Sequence, residues 1–307
     1  MFSRMKAEIR KDYFLPRYVI ITPQRAKRPR STVAQTIYLK KGKCPFCWKN
    51  IEKDLLVKTY KLKSDKIVVI ENKYPVVSLD NPKAYGKHEI IIETLDHKKD
   101  LSEVSQKHLA SLFSVWQDRT EKISKIKGIE YILIFKNEGG KAGASIVHSH
   151  MQIFSSNIIP PDVWEESYLA HKIMEEKGYC PYCQIIKKEE KSKRLIYKDK
   201  FVVCFAPYAS AFHYEAWIFP RRHIDNVCLL KQKEIFSMAK ALKIVLKKLF
   251  NLGLSYNFYL HQLIKDPDQH FYIKVQPREA VWGGIELGSG IVVNSMPPEK
   301  AAEYYRS

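Results

Sequence analysis

The stretch His148-Ser149-His150-Met151-Gln152 carries three polar side chains at a spacing of two inside an otherwise apolar segment, Ser145 to Phe154. Side chains of a strand point alternately to its two faces, so this alternation predicts a β-strand. The face with the polar groups would hold Ile146, His148, His150 and Gln152. Same-face neighbours lie about 7 Å apart, so one imidazole can bind a metal ion while the next meets a substrate and the amide holds an oxyanion. One histidine on a strand is more often a core or surface residue, whereas two with a glutamine in register favour a site.

Two cysteine pairs supply metal ligands elsewhere in the chain, Cys44-Pro45-Phe46-Cys47 and Cys180-Pro181-Tyr182-Cys183. Thiolates at this spacing can share one tetrahedral Zn²⁺. A single pair could equally be a redox dithiol, but two near-identical copies favour a repeated metal site. The histidines that follow each pair are the candidates for completing it: His97 and His148 for the first, His223 and His270 for the second. We therefore predict two structural zinc sites per chain.

These motifs recur in the same order in the two halves of the chain, which indicates an internal duplication. Each half runs from a cysteine pair through apolar strands to a long amphipathic helix and a closing strand with the last histidine. The first helix is predicted from about Leu101 to Ile126, with an Asp100…Glu103 capping box, and the second from about Lys231 to Leu252. The predicted fold is α+β, a tandem duplication whose antiparallel β-sheets carry packed helices.

The duplication also sets the expected domains. We place the join near Pro160-Pro161, giving an N-terminal domain, residues 1–158, that carries the nucleophile, and a C-terminal domain, residues 159–307, that lacks it.

The two closing strands differ on their polar face. The first presents His148, His150 and Gln152; the second presents His270, Tyr272 and Lys274. Only the first half has an imidazole beyond the one needed for metal. We therefore predict that His150 is the reacting group. Four protein ligands leave no open position on zinc, which argues against a metal-hydroxide mechanism.

Further motifs match a known family. They are Thr22 to Pro29 (TPQRAKRP), Glu71 to Pro75 (ENKYP), Asn137 to Gly140 (NEGG), Gly143 to Ser145 (GAS) and Trp282 to Gly290 (WGGIELGSG). Together with His-x-His-x-Gln, these motifs resemble the galactose-1-phosphate uridylyltransferase branch of the histidine-triad (HIT) superfamily, which includes ADP-glucose phosphorylases. The resemblance covers nearly the whole chain, and it implies that each half is a HIT-like unit.

The resemblance implies nucleotidyl transfer through a covalent histidine, with His150 as nucleophile and Gln152 beside it as the second catalytic residue. It implies phosphate contacts from the arginines and the glycine-rich loop, and nucleoside contacts from the Asn72 loop. The expected substrate-binding residues are Arg25, Arg28, Asn72, Asn137, Gly139, Gly140, Ser145 and Lys274. It also implies a homodimer whose active sites borrow residues from the neighbouring subunit.

The substrates expected on this basis are a nucleotide sugar and a hexose 1-phosphate, with UMP as the transferred group, as in galactose metabolism. Transferases acting on galactose 1-phosphate usually read His-Pro-His-Gly-Gln, whereas this chain reads His-Ser-His-Met-Gln. That departure keeps an ADP-glucose phosphorylase, with orthophosphate as acceptor, as the alternative. A nucleotide hydrolase of the same superfamily would usually have a third histidine where Gln152 stands.

Composition sets the outer limits. The chain has 307 residues, 45% hydrophobic content and a formal charge of +19, which suits two domains with proper cores. We expect a cytoplasmic protein, since no apolar run approaches a membrane span and the first 13 residues are charged. A basic zinc module that binds nucleic acid is a further alternative. It is disfavoured because the lysines are scattered and the cysteine–histidine spacing is long.

Overall fold

The computed structural model describes residues 7–27 and 44–307. The strands in these ranges are β1 (Glu8–Lys11), β2 (Tyr18–Ile21), β3 (Leu56–Lys61), β4 (Lys66–Glu71), β5 (Gly86–Ile92), β6 (Tyr131–Glu138), β7 (His150–Ser156), β8 (Leu195–Lys198), β9 (Val202–Phe205), β10 (Ala216–Pro220), β11 (Tyr256–His261), β12 (Tyr272–Pro277) and β13 (Val292–Asn294). The α-helices are α1 (Gln106–Ile123), α2 (Pro161–Lys177), α3 (Pro181–Glu189), α4 (Gln232–Asn251), α5 (Gly284–Ser289) and α6 (Pro298–Arg306).

Ten strands form one antiparallel sheet in the order β3-β4-β5-β7-β6-β11-β12-β10-β9-β8. The first five belong to one half and the last five to the other, and the two sets run in matching order outward from the central β6–β11 pair. The predicted α+β duplication with antiparallel sheets is confirmed.

The long helices α1 and α4 pack on each other against one face of this sheet. Their apolar stripes meet in one core that contains residues from both halves, among them Trp116, Leu242 and Phe258. Helix α4 ends as predicted, with Gly253 in the left-handed region at φ 63°.

The first predicted helix is two elements. The Asp100…Glu103 capping box is present, but it starts only a 3₁₀ turn, Leu101–Glu103. Val104 is extended, and Ser105 then caps α1 by accepting from the backbone N–H of His108. Because a second favourable N-cap residue, Ser105, follows the first so closely, a new helix can begin there with a different axis direction.

The strand that carries His150 and Gln152 also begins later than predicted, at His150 rather than Ser145. The His148 carbonyl accepts a hydrogen bond from the imidazole of His150, at 2.9 Å. The residues before β7 are therefore a loop, although its side chains still reach the predicted partners.

A second, three-stranded sheet joins the two ends of the described chain: β1 pairs with β2, and β2 pairs in parallel with β13. Phe14 and Leu15, just after β1, enter a core cluster with Tyr182 of α3. The N-terminal strands thus lie on the second half, and the division at residues 158/159 stays a prediction. Among the described residues, no helix combines the length and apolarity that a membrane span requires.

Candidate active site and metal-binding groups

His150 lies on β7, between β5 and β6 in the main sheet. It pairs with Ile92, and Gln152 pairs with Ile90 on one side and Phe135 on the other. Both polar side chains therefore point to the same face, as predicted. His150 is buried, with 7% of its surface exposed.

One ring nitrogen of His150 is engaged in a hydrogen bond to the backbone. Nδ1 lies 2.9 Å from the His148 carbonyl oxygen, and since a carbonyl only accepts, Nδ1 carries the proton. Nε2 is then left with its lone pair. Burial, followed by the positive charge of Lys136, lowers the pKa of His150 to about 4. The imidazole is neutral near pH 7 and presents a nucleophilic nitrogen.

The buried ammonium group of Lys136 contacts β7 from the face opposite His150 and Gln152. The Lys136 ammonium lies 2.8 Å from Glu93 Oε2, 2.9 Å from Ser149 Oγ and 3.4 Å from the His150 carbonyl oxygen. Ser149 also donates to Glu93. The sequence does not reveal this cluster, because Lys136 lies on β6 and Glu93 directly follows β5, both far from Ser149 along the chain.

The glycine-rich loop follows β6 as a 3₁₀ turn, Gly140–Ala142. Gly139 and Gly143 flank it with φ of 79° and 84°, a region that disfavours other residues. A Cβ on Gly139 would also lie 2.3 Å from Ser255 Oγ. Ser145 is exposed beyond the turn.

Asn137 is held at the start of this loop by Asn257, a residue of β11 that the sequence analysis missed. Asn257 Nδ2 lies 2.8 Å from Asn137 Oδ1 and 2.8 Å from the Ala142 carbonyl oxygen. Since Phe135 pairs with Gln152, Asn137 two residues on shares its face of the sheet. The side-chain oxygen of Asn137 accepts the hydrogen bond from Asn257, so the NH₂ group of Asn137 remains available to donate.

Asn72 lies just after β4 and contacts the same face through His88 of β5. Asn72 Oδ1 accepts from the Tyr74 N–H at 2.9 Å, and Asn72 Nδ2 lies 3.3 Å from His88 Nδ1. His88 Nε2 in turn lies 2.9 Å from Gln152 Oε1. The predicted nucleoside loop is thus joined to the predicted catalytic amide.

The first predicted metal group comes together: Cys44, Cys47, His97 and His148 place one ligand atom each within 4.8 Å of one another. Thiol sulfurs and imidazole Nδ1 atoms are 3.5 to 3.8 Å apart, close to the edge of about 3.5 Å expected for a tetrahedron with Zn–S and Zn–N lengths of about 2.3 and 2.0 Å. His148 Nε2 donates to the Thr94 carbonyl at 2.8 Å, which turns Nδ1 toward the sulfurs. These four residues can hold a metal ion.

The second group assembles three of its four predicted members, Cys180, Cys183 and His223. His223 Nε2 faces the Gln269 carbonyl at 2.8 Å, and Nδ1 lies 3.7 Å from Cys183 Sγ. His270 is not within the ligand cluster, because its Nδ1 faces the Phe271 carbonyl at 2.9 Å. Its ring lies 5.0 Å from that of His223, and its buried Nε2 has no hydrogen-bond partner among the described residues.

Lys274 lies on the same face of the sheet as Gln152 but far from it, and its expected role in substrate binding stays a prediction. Pairing places Tyr259 opposite both Lys274 and Phe135, so Lys274 lies in the row of Gln152 but three strands away, about 14 Å. Its ammonium lies 3.5 Å from the buried Glu166 carboxylate and above the ring of Trp217. Lys274 belongs to a polar cluster of the second half.

Of the two predicted arginines, only Arg25 lies among the described residues, and its expected phosphate contact stays a prediction. Arg25 is exposed in a 3₁₀ turn, Pro23–Lys27, which follows β2 in the small sheet rather than the sheet of His150. Arg28 lies outside the described residues.

A duplicated antiparallel sheet, with His150 beside a cysteine–histidine cluster that could hold a metal ion, is the fold of the histidine-triad superfamily, and the similarities of this chain to known proteins agree. ADP-glucose phosphorylase of Arabidopsis thaliana is 30% identical over 332 residues, covering 97% of this chain and 92% of that protein. Galactose-1-phosphate uridylyltransferase of Thermotoga maritima is 28% identical, covering 97% and 98%. The crystal structure of an ADP-glucose phosphorylase from Arabidopsis thaliana with bound ADP-glucose has a TM-score of 0.85 at 28% identity, covering 98% and 99%.

A family model for the N-terminal domain of DUF4931, a domain of unknown function, matches residues 26–159. The near full-length similarities decide the assignment. The chain belongs to the family of galactose-1-phosphate uridylyltransferases and ADP-glucose phosphorylases.

Proposed function

We propose that this enzyme moves a nucleoside monophosphate, with UMP as the expected group, between a nucleotide sugar and a hexose 1-phosphate. The observation that carries the proposal is the His150 imidazole, whose Nδ1 is bound to a backbone carbonyl and whose Nε2 is free on the face shared with Gln152. Full-length relatives named for nucleotidyl transfer and for phosphorolysis support the same chemistry.

The first half-reaction forms a bond between His150 Nε2 and the α-phosphorus of the nucleotide sugar. The bond from that phosphorus to the bridging oxygen breaks, and its electron pair leaves with the sugar 1-phosphate. The Nδ1–H bond to the His148 carbonyl stabilises the positive charge that develops on the ring. A phosphate oxygen of the acceptor then attacks, and the electron pair of the P–N bond returns to Nε2. Neither step needs a general base, since the acceptor oxygen is already anionic.

Neutral donors suit the charge that spreads over the phosphoryl oxygens. The amide of Gln152 and the free NH₂ of Asn137 are on the reacting face, and the loop at Gly139 and Gly140 offers backbone N–H groups. Ser145 and the predicted arginines, Arg25 and Arg28, would add phosphate contacts.

We assign zinc to the two cysteine–histidine groups. Cys44, Cys47, His97 and His148 would hold one ion, which would cross-link the segment before β3 and the loop after β5 to the residues just before β7. Cys180, Cys183 and His223 would hold the other. The unpaired, buried Nε2 beside His223 supports His270 as the fourth ligand. With four protein ligands the ions are structural, and the chemistry remains with His150.

Phosphorolysis of ADP-glucose is the second candidate. It shares the first half-reaction and differs only in using orthophosphate as the acceptor. The 30% identity and the TM-score of 0.85 to ADP-glucose phosphorylases favour it, as does the sequence His-Ser-His-Met-Gln. Hydrolysis is disfavoured because the neutral amide of Gln152 cannot act as an acid or base toward water.

Incubation with UDP-glucose, ADP-glucose and a GDP-sugar, followed by mass spectrometry of the intact protein, identifies the nucleotide retained on His150. Adding galactose 1-phosphate, orthophosphate or buffer alone then identifies the acceptor. We expect a stable adduct that galactose 1-phosphate discharges; discharge by orthophosphate alone selects the phosphorylase. Rapid loss in buffer, or binding to nucleic acid in a gel shift with no adduct from any sugar nucleotide, would contradict the proposal.

A homodimer is proposed as well. Trp164 and Tyr168 of α2 stack on each other while remaining 57% and 52% exposed, and Leu287 of α5 is 76% exposed. Such large apolar groups are usual at protein interfaces. Light scattering after size exclusion measures the mass directly, and a monomer at micromolar concentration would contradict the proposal.

A further inference from the structure

We propose that His88 is a positioning residue that sets the direction of the catalytic amide of Gln152. The inference rests on the proposed function, because it concerns the role of Gln152 in the transfer. It begins from a buried imidazole on β5 that the double-displacement chemistry does not use. His88 is 7% exposed, and pairing of Ile90 with Gln152 puts His88 one diagonal step from Gln152 on the reacting face.

The surroundings of His88 determine which ring nitrogen carries its proton. The Val76 backbone N–H lies 3.3 Å from Nδ1, and a backbone N–H can only donate. The amide NH₂ of Asn72 lies 3.3 Å from the same nitrogen. Asn72 cannot be turned the other way, because its Oδ1 already accepts from the Tyr74 N–H. The same amide lies 3.2 Å from Nε2, so it does not distinguish the two ring nitrogens. The Val76 N–H does, because it donates to Nδ1 alone; Nδ1 is therefore the acceptor and Nε2 carries the proton.

The tautomer of His88 then fixes the orientation of Gln152. His88 Nε2 lies 2.9 Å from the Gln152 side chain, and a protonated nitrogen must face an acceptor, so the contact atom is Oε1. The amide NH₂ of Gln152 is left pointing away from His88, free to donate to a phosphoryl oxygen at His150. In the flipped orientation the carbonyl oxygen would face that anion and repel it. Burial lowers the pKa of His88, which keeps the ring neutral as this arrangement requires.

The hydrogen bonds run from the Val76 N–H through His88 to Gln152, and the Asn72 amide lies against the same imidazole ring. Asn72 and Tyr74 belong to the loop expected to hold the nucleoside. His88 acts on the reaction through Gln152 and touches no reacting atom itself.

The test is a double-mutant cycle on the rate of nucleotidyl-enzyme formation, measured by rapid quench and mass spectrometry with the sugar nucleotide that modifies the wild type. His88→Phe keeps the ring volume and removes the donor, and we expect it to slow the step about 10- to 100-fold, somewhat less than the loss of an oxyanion donor. In the Gln152→Ala background the same change should alter the rate less than about twofold, because the group that His88 orients is gone.

Two further measurements separate orientation from structural damage. His88→Gln places an amide NH₂ near the position of Nε2 and should restore most of the rate. Nucleotide-sugar affinity, measured by calorimetry in the His150→Ala background, should change less than about threefold on adding His88→Phe. Equal effects of His88→Phe with and without Gln152, no rescue by glutamine, or a loss confined to binding would each overturn the inference. Failure of the wild type to form any adduct would instead reject the proposed function, and this inference with it.

Discussion

His148, just before β7, and His150, its first residue, have opposite expected roles, and this contrast is testable. His150→Ala removes the free Nε2 and should abolish the covalent adduct while metal content stays within about 10% of wild type, because the residue is not in the ligand cluster. His148→Ala removes a ligand atom and should lower metal content by about one ion per chain and destabilise the fold. Intact-protein mass spectrometry and elemental analysis measure both. Equal metal loss in the two variants, or turnover by His150→Ala, would refute the assignment.

Asn257 should matter although it lies in the half without a nucleophile. Its NH₂ holds both the Asn137 amide and the glycine-rich loop, so Asn257→Ala should free both and raise the KM for the sugar nucleotide about 10-fold. Asn251→Ala, an exposed asparagine at the end of α4, is the matched control and should be neutral. Equal KM values for the two variants would show that Asn257 does not support the loop.

At the scale of single residues, the sequence predicts groups that lie along one strand and misses those that lie across strands. Alternation along one segment is enough to place His150 and Gln152 on one face, and this prediction needs no knowledge of the sheet. His88 and Lys136 reach β7 from the neighbouring strands β5 and β6, and Asn257 of β11 reaches Asn137 at the glycine-rich loop. These contacts depend on register. Register becomes visible only when the strands are paired.

At the scale of elements, Gly86 controls how closely β5 approaches β7. A Cβ at this position would lie 1.9 Å from the Ser155 carbonyl oxygen and 2.8 Å from Val77 Cγ2. The backbone cannot yield cheaply, so Gly86→Ala should lower the free energy of unfolding by at least about 2 kcal/mol. Gly288→Ala in α5, where nothing lies within 4 Å of the new Cβ, should stay within about 0.5 kcal/mol of wild type. Urea unfolding measures both, and similar values for the two would contradict the argument.

The element boundaries show where local signals stop being sufficient. The sequence predicts the capping box at Asp100, but α1 begins only after the second N-cap residue, Ser105. Likewise, the duplication led to His270 as the counterpart of His148, but the structure turns its Nδ1 toward the Phe271 carbonyl. Equivalent positions in a duplicated sequence need not keep equivalent rotamers once one copy has changed its neighbours.

At the scale of the whole molecule, metal should support both halves. We expect two zinc ions per chain by elemental analysis, and chelation should lower the Tm substantially, since structural zinc contributes on the order of 10 kcal/mol in small zinc peptides. His270→Ala should reduce the count to one if that residue closes the second site. A count of one or none in freshly prepared wild-type protein would contradict the zinc assignment, and two ions in His270→Ala would exclude His270 as a ligand.

The duplication itself could be predicted from the sequence, since two cysteine pairs and two long amphipathic helices repeat in order. The way the copies join could not. The β6–β11 pair makes one sheet of the two halves, with Tyr256 opposite Glu138 and Tyr259 opposite Phe135. Nothing in either strand's own sequence specifies which edge of the other copy it meets.

This shared sheet leads to a prediction about cooperativity. The main core contains residues of both α1 and α4, and β2 near the N-terminal end pairs with β13 near the C-terminal end. Neither half can therefore unfold without exposing apolar surface of the other. We therefore expect a single unfolding transition for the zinc-loaded protein in urea, with tryptophan fluorescence and far-UV circular dichroism giving the same midpoint. A fragment of residues 1–158 should be unstable alone, since it would leave the β6 edge unpaired and the α1 stripe exposed. Two separated transitions, or a folded and soluble fragment, would show instead that the halves are independent domains.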